Sequence, residues 1–67
     1  MTARQIADDM EERIRSGEYP PGARLPSTVE LANLYRVGTT TASNVYMMLR
    51  ERGLTEGQQG VGVFVRE

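Results

Sequence analysis

Cysteine and histidine are absent from this 67-residue chain, and so is lysine: all eight basic residues are arginine. Without cysteine there is no disulfide staple and no thiolate metal site. Without histidine the commonest general base and the commonest zinc ligand are both missing. No phosphate-loop or metal-ligand spacing occurs, so the serines and threonines lack the partners that catalysis needs. The expectation is a non-enzymatic protein with no cofactor and no metal. No apolar run approaches the ~20 residues of a membrane span, and the polar, amphipathic N-terminus is unlike a signal peptide. A single cytoplasmic domain over residues 1–67 follows as the expectation. A core this small is marginal, so its stability has to come from packing or from self-association.

The net charge is −1 and the isoelectric point about 5.4, which argues mildly against a nucleic-acid partner. The distribution softens that argument. Residues 1–19 set three arginines against five carboxylates, whereas residues 20–67 set five arginines against four. Arginine also forks onto phosphate oxygens in a way that lysine cannot.

Along the chain, Thr2 can cap a first helix reaching about Ser16, with Ile6, Ala7, Met10 and Ile14 on one stripe and Asp8, Glu11 and Glu12 opposite as a solvated face. Gly17 and the run YPPG then break the chain. Arg24 and Leu25 are extended, because the residue before proline is pushed out of the helical region. Ser27-Thr-Val-Glu30 is a capping box, and a short second helix follows over roughly Thr28 to Tyr35. Leu31 and Leu34 are expected to face the core, with Ala32 allowing close approach of another helix. Arg36, Val37 and Gly38 form a tight connection. A third helix runs from about Thr39 to Arg52, burying Ala42, Val45, Tyr46 and Leu49, while Thr40, Ser43, Asn44 and Met47 repeat the same spacing on the opposite face. Gly53 ends it. The run LTEGQQGVGVFV reads as a hairpin tipped by Gln58, Gln59 and Gly60, with Val61, Val63 and Val65 alternating. The fold is therefore mostly α with a small β-hairpin: a winged helix-turn-helix of three helices and a two-stranded wing.

The strings QIADDMEERIRSGEYPPGARLPS, ELANLYRV, TTA with LRERGL, and QGVGVFV together resemble the DNA-binding domain of the GntR family of bacterial transcriptional regulators, from about Gln5 to Val65. The resemblance implies double-stranded DNA as partner. It also implies a dimer on a palindromic operator, with the third helix in the major groove and the wing tip at the minor groove. Carried over by position, the implied contacts are Ser27 and Val29, then Gly38, Thr39, Thr40, Thr41 and Ser43, then Gln59 and Gly60. The family typically has arginine where this chain has Val29, and often basic residues at Thr39 and Ser43. Its members usually continue into a metabolite-binding, dimerising domain. Here the expectation is a small repressor with no such domain and no small-molecule effector, and a fragment of a longer regulator is the alternative.

Read for themselves, the threonines at 39–41 suit both helix capping and phosphate contacts through hydroxyls and free N–H groups. Asn44 can pair bidentately with adenine or can simply be solvated. Met47 can pack on a thymine methyl or on a protein partner, whereas Met48 reads as a satellite of the core. Gln58, Gln59 and Gly60 are either a plain turn or a tip that approaches a groove closely. Arg24, Arg36, Arg50 and Arg52 are the charge on offer to a DNA backbone. A second reading stands beside the regulator: a protein-interaction module that keeps the fold without DNA binding, motivated by the acidic isoelectric point, Val29 and Met47.

Overall fold

Two of the three helices begin where the sequence supplies an acceptor for their free N–H groups. In the computed structural model, which describes residues 1–58 and 60–67, α1 spans Ala3–Arg15, α2 Thr28–Tyr35 and α3 Thr39–Glu51. The capping box predicted at α2 is present: Ser27 Oγ accepts from the Glu30 N–H, and the Glu30 carboxylate accepts from the Ser27 N–H. A second box that the sequence reading did not foresee links Thr2 and Gln5 at the start of α1. Glycine at the N-cap of α3, Gly38, has no side chain to do the same.

The core collects one stripe from each helix. Ile6, Ala7 and Met10 come from α1, Leu31 and Ala32 from α2, and Ala42, Val45, Tyr46 and Leu49 from α3. Leu25 and Val65 close it from the wing side. Helix α3 packs on α1, on α2 and on the first strand, so it lies at the centre of the fold. The buried Tyr46 hydroxyl donates to the Pro26 carbonyl, which ties α3 to the segment just before the α2 cap. Burial pushes the Tyr46 phenol above its ordinary value.

Strands β1 (Thr55–Gln58) and β2 (Gly62–Val65) pair antiparallel, Thr55 opposite Val65 and Gln58 opposite Gly62. The Arg24–Leu25 segment is extended, as expected, and it does more than connect. Leu25 N–H donates to the Val63 carbonyl at 2.8 Å and Val65 N–H donates to the Ala23 carbonyl at 2.9 Å, so residues 23–25 flank β2 through a bridge between Arg24 and Phe64. The Arg24 side chain crosses Gly62, where a Cβ would stand 3.1 Å from Nε. With φ of 142° as well, that position favours glycine on two counts.

Four details depart from the sequence reading. Leu34 is 51% exposed rather than core. The buried face of α2 runs through Leu31, Ala32 and Tyr35, and at about 100° per residue Leu34 lies roughly 110° from its centre. Ile14 is only half-buried, at the last turn of α1 where the stripe runs past the core. Val61 is an exposed turn residue, its N–H donating to the Gln58 carbonyl, so the valine alternation begins at Val63. The acidic face of α1 is engaged as well as solvated: Asp9 accepts from the half-buried Tyr35 hydroxyl at 2.5 Å and pairs with Arg13. The tight connection after α2 is present, with Arg36 left-handed at φ 56°.

Two stability predictions follow from these contacts. Tyr46→Phe keeps the ring and leaves the Pro26 carbonyl without its donor, so urea unfolding should lose ~1–2 kcal/mol; an unchanged midpoint would mean that the hydroxyl bond contributes nothing. The second concerns pH. Hydrogen bonds from Arg15 and Arg52 hold Glu11 below its ordinary 4.5, and the bonds to Ser27 do the same for Glu30. A depressed carboxyl contributes stability that is complete above its unfolded value and lost as pH falls through the folded one. Burial raises Tyr35 and Tyr46 above 10, so their contribution is complete below that pH and lost above it. Melting temperature should therefore fall on the acid side of 4.5 and again on the alkaline side of 10.

Candidate nucleic-acid interface

The exposed side of α3 is where the core stripe leaves room for function. Thr40, Ser43, Asn44 and Met47 are all exposed, on the face opposite Ala42, Val45 and Leu49. Met47 is 56% exposed, against the usual preference of methionine for the interior. Met48, by contrast, packs against the core, as expected. Thr39 is exposed and Thr41 half-buried.

The helix starts converge. Thr39, Thr40, Ser43 and Asn44 of α3 and Thr28 of α2 line one shallow depression. Among the described residues its walls are hydroxyls and one amide, with no carboxylate. Gly38 brings no side-chain cap to α3, so the positive end of the helix dipole and its first N–H groups are not covered by a cap of their own. An anion fits such an end. Thr28 was not singled out in the sequence, where it reads only as the first residue after the Ser27 cap. Its signal was positional, because an N1 side chain of one helix can face the start of the next across a tight turn.

The remaining residues named from the sequence separate into groups. Ser27 stands at the α2 start, its oxygen accepting from Glu30 N–H, which leaves the hydroxyl proton to donate elsewhere. Val29, 58% exposed, follows two residues after Ser27 in the first turn of α2. Arg36 forms the left-handed turn, and its backbone N–H caps α2 through the Ala32 and Asn33 carbonyls. Gln58 ends β1 and is exposed, and Gly60 follows in the turn with φ 76°. Gln59 lies outside the described residues.

Charge is divided between two sides of the molecule. Arg13 pairs with Asp9 and Glu18, and Arg15 with Glu11. Arg52 does not belong with the arginines on offer to DNA: its Nη1 lies 2.9 Å from both Asp8 and Glu11, where it cross-links the end of α3 to α1. Among the described residues Arg4, Arg24, Arg36, Arg50 and Arg66 form no ion pair. Much of the acidity that lowers the isoelectric point is thus confined to α1 and its arginines, away from the exposed face of α3. A second groove, of about 280 Å³, runs between α3 and the wing past Ser43, Met47, Arg50 and Gly57.

Comparison with known proteins matches this arrangement. The model of the bacterial regulatory proteins, gntR family, matches residues 2–65. The mannosyl-D-glycerate transport/metabolism system repressor MngR of Escherichia coli is 38% identical over 96% of this chain, which spans 27% of that protein. A GntR family transcriptional regulator from Listeria monocytogenes superposes with a TM-score of 0.93 at 31% identity, over 97% of this chain and 57% of the other. The AraR DNA-binding domain, solved in complex with operator ORR3, superposes with a TM-score of 0.89 at 27% identity, over 94% of this chain and 76% of the other. The chain therefore spans only part of the curated relatives it matches, and over that part it belongs to the gntR family of bacterial regulatory proteins, as a winged helix-turn-helix domain.

Proposed function

We propose that this domain binds double-stranded DNA with sequence specificity and acts in transcriptional repression by occupying a promoter. The observation that carries the reading is the exposed α3 stripe of Thr40, Ser43, Asn44 and Met47, beginning at an N-terminus without a side-chain cap. Helix α3 enters the major groove, and its first turn takes a phosphate through N–H and hydroxyl groups. Asn44 reads adenine by its amide, and Met47 touches a thymine methyl. The wing tip, at Gln58 and Gly60 among the described residues, braces the adjacent backbone. The operator complex of the AraR domain and the repressor role in the name of MngR support this reading.

No arginine stands among Thr40, Ser43, Asn44 and Met47, and Val29 occupies the corresponding outer position of α2. Guanine is most often read by arginine or lysine forks, so the preferred half-site leans towards A·T pairs. With few phosphate contacts the affinity is modest, and two copies on a palindromic site recover it.

Selection of binding sites from a random duplex pool tests both points. An enriched palindrome rich in A·T is expected; G-rich half-sites would remove the proposed code, and no binding at low salt would remove DNA as the partner. On the selected site, Asn44→Ala should cost ~1–3 kcal/mol and relax specificity at one position. An equal loss on all sequences would instead make Asn44 a backbone contact.

The second reading, an interaction module, draws on the exposed Val29, Leu34 and Met47. It takes over if low-salt binding fails.

A further inference from the structure

The α3 stripe does not stop at Met47. One helical step on, at i+3, Arg50 continues the line of Ser43 and Met47 towards the wing. Arg50 lines the groove between α3 and the wing with Ser43, Met47, Thr55 and Gly57. It also lines the adjoining depression that leads along Gly57, Gln58 and Gly60 to the tip. Among the described residues no carboxylate lines either surface, and Arg50 is the one cation on both. Among the described residues its side chain makes no ion pair. Space is left beside it, since a Cβ at Gly57 would meet nothing within 4 Å.

We propose that Arg50 holds a DNA phosphate in the groove between α3 and the wing, so that one strand of the duplex passes from the helix to the wing along this side. The proposal rests on the DNA-binding reading above and adds to it where the charge sits. A planar guanidinium forks two N–H donors onto phosphate oxygens. The bare backbone at Gly57 and Gly60 lets the strand come close on the wing side. A charged grip is thus added at the later turns of α3, whose start carries no arginine.

The test measures binding to a mixed-sequence duplex across a salt series, for the unsubstituted chain and for R50Q, R50K and R66Q. Arg66 follows β2 near Gly53, away from the tip, and R66Q removes the same charge there. Glutamine and lysine are both good helix formers, so the fold at position 50 should persist, as circular dichroism would verify. R50Q should make the slope of log K against log salt shallower by about 0.9, the loss of one phosphate contact, with the same fold-loss on every sequence. R50K and R66Q should keep the original slope. An unchanged slope in R50Q, or an equal change in R66Q, overturns the assignment of Arg50 while leaving DNA binding intact. If the unsubstituted chain fails to bind at low salt, both readings fall together.

Discussion

Helix α3 has to satisfy two opposite demands, and the rest of the structure is arranged around that constraint. Its inner stripe of Ala42, Val45, Tyr46 and Leu49 is the one surface that α1, α2 and the wing all use. Its outer stripe has to stay in water. The 3.6-residue period keeps the two apart, so the outer residues can change without opening a cavity. Because the outer groups stand on a packed helix rather than on a loop, their spacing is fixed before any partner arrives. Tyr46 adds a polar tie: its bond to the Pro26 carbonyl couples the position of α3 to the start of α2, so the two helix starts that line the shallow depression are set together.

Electrostatics follows from the same layout. Helix α1 carries four of the nine acidic residues, and Arg13, Arg15 and Arg52 answer them locally. Exposed pairs of this kind contribute little to stability. Their larger effect is on the field, since they confine negative charge to the side away from the α3 stripe. A chain with net charge −1 can then present Arg50 on surfaces that no described carboxylate lines, which a bulk isoelectric point does not reveal.

Helix positions were legible because each has a local cause. Ser27 and Glu30 announce the start of α2, and the i, i+3, i+4, i+7 apolar residues announce the inner face of α3. Leu34 was misread because two leucines in eight residues do not define a face; the half-buried Tyr35, held by Asp9, shifts it. The pairing of Ala23–Leu25 with β2 was not legible either. Three extended residues before a proline show no alternation, and their partners lie some forty positions later. The outer stripe of α3 was readable as a set, but its link to Arg50 depends on where the wing folds back, which periodicity on one helix cannot give. Thr28 was passed over and Arg52 misjudged for the same reason: their roles depend on which neighbouring helix they meet.

That short flanking segment has an effect beyond packing. With residues 23–25 against one side of β2 and β1 against the other, the described part of the sheet has its open edge on β1. An open edge is a template on which a second chain can add a strand, the first step towards aggregation. Here the edge is four residues long and reads Thr-Glu-Gly-Gln, with a charge and a glycine in place of the apolar, β-branched run that such templating favours. Gly57, which leaves room beside Arg50, therefore also helps to make this edge a poor template for an added strand.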